Sequence, residues 1–180
     1  HIGEKAFNEC GQLSSFLIPD AVVAIGEGAF ENCRSLTSMV IPDSVTSIGW
    51  SAFNYCTSLK SIALLNSITS INECTFYWCY ALKSIIIPVS VTSICRGAFQ
   101  GCSSLSSIEI PNSVRKIEND AFRECSKLST VTLFNSVTEI GDYAFCGCRS
   151  LQSIVIPDSV ESIGSNGFDG CSSLVSVVLS

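Results

Sequence analysis

The chain has 180 residues, of which 47% are hydrophobic and only 14% charged, and its formal net charge is −6. The length is sufficient for one substantial hydrophobic core. The acidic balance argues against a nucleic-acid partner, because phosphate binding requires clustered basic residues and only Arg115 and Lys116 are adjacent. No apolar run approaches the roughly 20 residues that a membrane span needs, so we expect no membrane insertion.

A phenylalanine recurs every 23 residues along the whole chain. A cysteine follows each phenylalanine after three residues and a leucine after three more, eight times without an insertion or deletion. Because the sequence begins partway through this unit, we predict a single domain over residues 1–180 that was cut from a longer chain. The phenylalanines that mark repeats one to eight are Phe7, Phe30, Phe53, Phe76, Phe99, Phe122, Phe145 and Phe168.

Each repeat carries one short alternating segment, such as "SLTSMVIP" or "SLSSIEIP". Apolar residues two apart predict a strand, and the proline and the Asp or Asn that usually follow predict a turn. A period of 23 residues is too short for a helix pair but suits one strand and a compact return path. Stacked repeats then form a solenoid, and with strands ~4.8 Å apart we predict a continuous parallel sheet roughly 35 Å long.

Two stretches show the complete pattern of a repeat. They are "CRSLTSMVIPDSVTSIGWSAF", from Cys33 to Phe53, and "CRSLQSIVIPDSVESIGSNGF", from Cys148 to Phe168. The chain resembles the BspA-like class of leucine-rich repeats, written Cys-x-x-Leu-x-x-Ile-x-Ile-Pro-x-x-Val-x-x-Ile-Gly-x-x-Ala-Phe. The resemblance implies a right-handed horseshoe with a parallel sheet on its concave face and short turns or 3-10 segments on the return path. It also implies a surface-exposed or secreted protein of a host-associated microbe that adheres to matrix proteins or cells.

The sequence offers little support for catalysis. Its only histidine is His1, which argues against Cys-His and Ser-His-Asp arrangements and histidine-ligated metal sites. Glu4 and Glu27 share one column of the stack, as do Asp20 and Asp43. Solvated turns explain these columns, and a weak cation site along the Asp/Asn column is the alternative. We therefore predict no enzyme activity, no cofactor and no metal.

Eleven cysteines raise the question of disulfides. Eight belong to the repeat, where a small apolar side chain between Phe and Leu points inward. Stacked side chains run parallel, which holds their Cβ atoms too far apart for a bridge, so we predict a ladder of buried free thiols. Cys74, Cys95 and Cys146 lie outside that ladder, and a Cys74–Cys95 bridge between adjacent repeats stays open. This cysteine usage does not decide the cellular compartment.

The exposed face of the predicted sheet is mostly apolar at its centre. This column suggests either ordinary β-propensity or a stripe that binds a partner. Its flat shape suits a protein or an extended peptide better than a small molecule. Among its members, Val40, Ala63, Ile86 and Glu109 are our candidate partner-binding residues; the whole column is Leu17, Val40, Ala63, Ile86, Glu109, Thr132, Val155 and Val178.

Aromatic residues outside the core pattern concentrate in repeats three and four. They are Trp50, Tyr55, Tyr77, Trp78 and Tyr80, and Tyr55 and Trp78 occupy the same column. Exposed Trp and Tyr are typical anchors of protein interfaces, and they also stack on sugars. The alternative is that the rings pack on the return path of the adjacent repeat.

These patterns together predict a non-enzymatic scaffold for protein interaction or adhesion, at the cell surface or secreted. Two other classes remain: a carbohydrate-binding module that uses the same aromatics, and a structural stalk that displays a missing domain. Uncapped repeats at the ends would favour end-to-end self-association.

Overall fold

The chain winds into a parallel β-solenoid of about seven turns, which a computed structural model describes over residues 1–179. A longer strand of up to four residues and a short strand of two residues alternate along the turns. These residues contain no helix, and hence none that is long and apolar enough to cross a membrane. The predicted repeat solenoid is confirmed, and its return path consists of turns.

The longer strands alternate between buried and exposed residues, except for the last one, Ser176–Leu179, whose four residues are all exposed. In Ser38–Ile41, for example, Met39 and Ile41 enter the core while Ser38 and Val40 are exposed. We call the exposed side of these strands, with the matching segments 15–18 and 84–87, the strand face. The longer strands are Ser38–Ile41, Ser61–Leu64, Ser107–Glu109, Thr130–Thr132, Ser153–Ile156 and Ser176–Leu179.

The strand face is not the continuous eight-stranded sheet that the sequence predicts. Longer strands pair only between repeats two and three, five and six, and seven and eight. Segments 15–18 and 84–87 form no strand, and the backbone of 84–87 makes no hydrogen bond within residues 1–179. In repeat four a threonine, Thr75, fills the buried position before the phenylalanine, where repeats two, three, five, six and seven have alanine. The ring of Phe76, which follows Thr75, is inclined by 10° to the ring of Phe53 and by 16° to that of Phe99, the largest angles in the ring stack.

The short strands form the more continuous ladder. Five of them, in repeats three to seven, make one parallel sheet, and two more pair in repeats one and two. The isoleucines that end the first six short strands are buried. Adjacent turns of the solenoid approach each other closely just beyond these isoleucines: a Cβ added at Gly26 would lie 2.6 Å from the backbone nitrogen of Glu4. The short strands are Ala24–Ile25, Ser47–Ile48, Ser70–Ile71, Ser93–Ile94, Lys116–Ile117, Glu139–Ile140 and Ser162–Ile163.

A stack of phenylalanine rings forms the centre of the core. Neighbouring rings of the eight marker phenylalanines lie 5.2–5.7 Å apart and are nearly parallel. The six from Phe30 to Phe145 are fully buried. Since burying one such side chain contributes about 1.5–3 kcal/mol, this stack explains why each repeat needs its neighbours.

The cysteine ladder forms as predicted, with every thiol free. Six repeat cysteines, from Cys33 to Cys148, are fully buried, whereas Cys10 is exposed and Cys171 partly so. Each of these six thiols donates to the phenylalanine carbonyl of the preceding repeat, as Cys79 Sγ does to Phe53 O at 3.1 Å. Burial raises the pKa of Cys79 to about 12, so the thiol is protonated at neutral pH.

Two residues of each return path have left-handed backbone conformation. They lie two positions before and two positions after the marker phenylalanine and have φ between 51° and 75°. Glycine and asparagine adopt this region most easily, so the other residue types here are held by the fold. The first column is Lys5, Gly28, Ser51, Cys74, Gly97, Asp120, Tyr143 and Asn166; the second is Glu9, Asn32, Tyr55, Trp78, Gly101, Glu124, Gly147 and Gly170.

Candidate interaction surface

Four of the predicted aromatic residues form one cluster, which we call the aromatic cluster: Tyr55, Tyr77, Trp78 and Tyr80. The Tyr55 and Tyr77 rings meet edge to face at 5.8 Å, as do those of Tyr77 and Trp78. The rings of Trp78 and Tyr80 are 5.3 Å apart. Tyr80 is exposed and the other three are half-buried, so the cluster offers ring surface to a partner.

The backbone holds two members of this cluster in an unfavourable conformation. Tyr55 and Trp78 have φ of 55° and 53°, in a column where three of the eight residues are glycine. A left-handed backbone costs an L-residue roughly 1–2 kcal/mol. The fold does not require a bulky ring at this position, because glycine occupies the same position in three other repeats.

Trp78 also packs against the next repeat. A Cβ at Gly101, which follows Trp78 in the same column, would overlap the indole ring. The indole therefore lies directly over the glycine backbone, which covers one of its sides. The interpretation that these rings pack on the adjacent return path is thus correct for part of Trp78, and its remaining surface is shared with Tyr77 and Tyr80.

Trp50 stands apart from the aromatic cluster. Within residues 1–179 it makes no ring contact with the other four predicted residues, and it is 59% exposed. The column that it occupies carries Glu27 before it and Glu73 after it. The structure therefore brings together four of the five aromatic residues that the sequence singled out.

The candidate residues of the strand face are all exposed. Val40 and Ala63 are neighbours across a strand pair, and Ile86 is 83% exposed in the unpaired segment of repeat four. A shallow cleft of about 310 Å³ lies on each side of Ile86. One cleft includes Ala63 and Leu65, and the other includes Glu109. The interruption of the sheet at repeat four thus coincides with two clefts on a face that the sequence predicts to be flat.

Burial raises the pKa of three titratable groups near this surface, Tyr55, Cys74 and Cys95. Partial burial raises the pKa of Tyr55, the neighbouring Tyr77 and Tyr80 raise it further, and Arg34 opposes the shift. Cys74 and Cys95 remain free thiols, and burial is the main cause that raises the pKa of each. No group of three or more potential metal ligands occurs within residues 1–179.

Sequence reasoning missed several residues of this surface. Lys60 and Lys83 are exposed and follow Tyr55 and Tyr80 of the aromatic cluster closely in the sequence. Leu65 and Val89 are exposed at the ends of the strand-face segments of repeats three and four. A comparison of columns could have found the two lysines, whereas the replacements at Leu65 and Val89 are visible in the sequence but predict only locally different turns. Lys60 and Lys83 are the only charged residues of their column, whereas Leu65 and Val89 replace the usual proline and Asx turn residues.

Comparison with known proteins defines the class of this chain. The BspA type leucine-rich repeat region matches it in six copies, over residues 1–126 and 92–180. A leucine-rich repeat protein from Bacteroides ovatus is 39% identical over 87% of this chain and 40% of its own, with a TM-score of 0.84. The chain is therefore a leucine-rich repeat solenoid, and it belongs to the BspA-type leucine-rich repeat family.

Two further solved structures are similar. The leucine-rich repeat protein of T. pallidum is 35% identical over 85% of this chain and 72% of its own, with a TM-score of 0.78. The pneumococcal vaccine antigen PcpA is 25% identical over 88% of this chain and 42% of its own, with a TM-score of 0.63. None of the curated proteins compared matches the sequence. The chain thus spans 40% of the Bacteroides ovatus protein and 72% of the T. pallidum protein.

Proposed function

We propose that this chain is a non-enzymatic scaffold that binds another protein at the surface of a bacterial cell or outside it. Leucine-rich repeat proteins are generally scaffolds for protein interaction, and a similar structure is that of a vaccine antigen. These comparisons support the class of function, whereas the partner and the contact residues are our proposal.

The observation that carries the proposal is the aromatic cluster. Half-exposed Tyr and Trp side chains supply large contact areas with little loss of side-chain entropy on binding, which is why they dominate interface hot spots. Two of them occupy left-handed positions where glycine avoids strain, so the scaffold alone does not account for them. With the face residues Val40, Ala63, Ile86 and Glu109, the cluster forms our proposed contact surface.

The same cluster is less suited to stacking on sugars. A sugar platform needs one freely accessible ring face. Gly101 covers one side of the Trp78 indole, and the rings of Tyr77 and Tyr80 lie 5.8 and 5.3 Å from it, which restricts access to the rest. Trp50 remains accessible for such stacking. A glycan array therefore belongs in the experiment as a competing outcome.

The experiment compares capture of purified extracellular-matrix and cell-surface proteins by the chain and by the double variant Tyr55→Ala/Trp78→Ala. We expect at least tenfold weaker binding of the captured protein by the variant, since hot-spot aromatics contribute about 2 kcal/mol or more each. Tyr143→Ala is the matched control, because Tyr143 has the same left-handed backbone but lies outside the cluster beneath Arg123. Circular dichroism verifies that the variants remain folded.

Three outcomes would count against this proposal. Equal affinity of the double variant and the chain would remove the aromatic cluster from the contact surface. Binding to glycans but to no protein would favour the carbohydrate-binding alternative. Capture of nothing would favour a stalk that displays another domain.

A further inference from the structure

Two lysines stand side by side without acidic partners in repeats three and four. The backbone nitrogen of Lys83 donates to the carbonyl of Lys60 at 3.3 Å, so the two residues are direct neighbours along the solenoid. Both are exposed, and neither forms an ion pair within residues 1–179. The other six residues of their column are uncharged: Ser14, Thr37, Ser106, Ser129, Gln152 and Val175.

This pair is unusual in the chain. Like charges at equivalent positions of adjacent repeats repel each other, and the chain as a whole is acidic, with a net charge of −6. By contrast, Lys116 in repeat five is paired with Glu139 at 2.7 Å. Arg115 and Lys127 are also unpaired within residues 1–179, but only Lys60 and Lys83 are neighbours in one column, so they offer two adjacent positive charges to one ligand.

The lysines lie between the aromatic cluster and the apolar part of the strand face. Tyr80 precedes Lys83 by three residues, and Ile86 follows it by three. Beyond Ile86, the exposed side chains of Leu65 and Val89 end the apolar part of the surface. We call this surface, from Tyr80 across the two lysines and Ile86 to Val89, the recognition strip.

Two clefts lie in the middle of the recognition strip. Segment 84–87 makes no backbone hydrogen bond to either neighbouring repeat, and a cleft of about 310 Å³ lies on each side of Ile86. Apolar residues line both clefts, and the clefts continue in line with the two lysines, which favours an extended ligand with apolar side chains.

We propose, on the basis of the protein-binding function above, that the recognition strip binds an extended acidic segment of a partner protein. Its carboxylates pair with Lys60 and Lys83, and apolar side chains on one side of these carboxylates occupy the clefts beside Ile86. Tyr80 contacts the opposite end of the segment. At about 3.3 Å per residue, roughly eight to ten extended residues cover the ten residues from Tyr80 to Val89.

Charge also sets the orientation of this segment. Glu109 lines the cleft on the repeat-five side of Ile86 and repels a carboxylate there. The acidic residues of the ligand therefore lie at the lysine end, and the apolar or basic residues lie over Ile86 and Glu109. A polypeptide with the opposite order of charges fits the strip less well.

The test selects phage-displayed random peptides of about twelve residues on the immobilised chain, followed by titration of synthetic copies by fluorescence anisotropy. We expect selected sequences to combine Asp or Glu with apolar residues. The double variant Lys60→Gln/Lys83→Gln should bind these peptides about tenfold more weakly, and higher salt should weaken wild-type binding. Ile86→Ser should also lose about tenfold in affinity.

Matched variants separate local from general effects. Arg115→Gln/Lys127→Gln removes the same two positive charges from exposed positions outside the recognition strip, where neither residue has an ion pair in the described chain. Val155→Ser shortens the equivalent residue of repeat seven, which lies in a paired strand. Both controls should bind within about twofold of wild type.

The outcomes distinguish this inference from the proposed function. If the selected peptides bound all variants equally, the proposal that the recognition strip is their binding site would be overturned, but the proposed protein binding through another surface would not be affected. Enrichment of basic peptides, or lysine-dependent retention of heparin without any acidic peptide, would overturn the acidic-segment proposal. Failure to select any peptide, together with failure to capture any protein in the preceding experiment, would overturn both.

Discussion

Repeats three and four share their core with repeats five and six but differ from them at the surface. Phe76 and Phe122 are both fully buried in the same ring stack, and Cys79 and Cys125 both donate to a carbonyl of the preceding repeat. On the surface, repeats five and six pair their longer strands, while segment 84–87 of repeat four is unpaired. The comparison shows that one core can carry two different surfaces.

The charged residues of the two regions differ in the same way. In repeats five and six, Arg123 pairs with Asp120 at 3.1 Å and Lys116 with Glu139 at 2.7 Å. In repeats three and four, Lys60 and Lys83 have no such partner in the described chain. Arg115 and Lys127 of repeats five and six are also unpaired within residues 1–179, but they lie in different columns. Repeats three and four differ because their two unpaired lysines are neighbours in one column, which favours them as the contact region.

The largest expected effect tests whether the two cores are equivalent. Phe76→Ala and Phe122→Ala should each lower the free energy of unfolding by about 3–5 kcal/mol, because both leave a cavity in a fully buried ring stack. Urea unfolding followed by circular dichroism measures both losses. If Phe76→Ala cost less than half as much as Phe122→Ala, the tilted repeat four would have a looser core than repeat six.

A smaller effect measures the packing of Trp78 on the neighbouring repeat. Gly101→Ala should destabilise by about 1–2 kcal/mol through its positive φ and additionally displace the indole, which a Cβ would overlap. In a Trp50→Phe background, the Trp78 fluorescence should shift to longer wavelength as the ring becomes more exposed. Gly170→Ala is the control, since its φ is 70° but its Cβ would lie 3.5 Å from the nearest atom. Equal losses of stability in Gly101→Ala and Gly170→Ala, without a fluorescence shift, would contradict the packing of Trp78 on Gly101.

The smallest effect concerns the thiols that both regions share. The pKa of Cys79 is raised from 9.0 to about 12, so its stabilising effect is fully present below pH 9 and is lost progressively between pH 9 and 12, as the unfolded thiol ionises first. At pH 9.5 this loss is about 0.8 kcal/mol. Replacing Cys79 by alanine should reduce the fall in stability between pH 8 and 9.5 by that amount, measured by urea unfolding. An unchanged pH dependence would show that the thiol is not protected by burial.

Most of the scaffold could be predicted from the sequence. The 23-residue spacing identified the buried phenylalanine, cysteine and leucine columns, because each repeat must meet the same residues in its neighbour. The free thiols followed from the same parallel stacking. The continuous sheet was predicted wrongly, since alternation indicates an extended segment but does not determine whether its backbone pairs with the next repeat.

The candidate surface could be predicted only in part. The concentration of aromatic residues in repeats three and four was visible, and four of the five form a cluster in the structure. The sequence did not show that Trp50 lies apart from the aromatic cluster, because residues that belong to the same repeat need not be in contact with each other. Lys60 and Lys83 were overlooked because each is unremarkable alone, and only their column shows that they are neighbours.

The sequence by itself determined the period, the buried columns and the family of this protein, because core burial repeats with the chain and leaves a regular pattern. Only the tertiary structure decided which strands pair, which side of Trp78 is covered and that Lys60 and Lys83 form no ion pair within residues 1–179. These features depend on small differences in tilt and backbone conformation between adjacent repeats, such as the tilt of Phe76 beside Thr75. A pattern of residue types carries no information about such differences until the repeats are stacked.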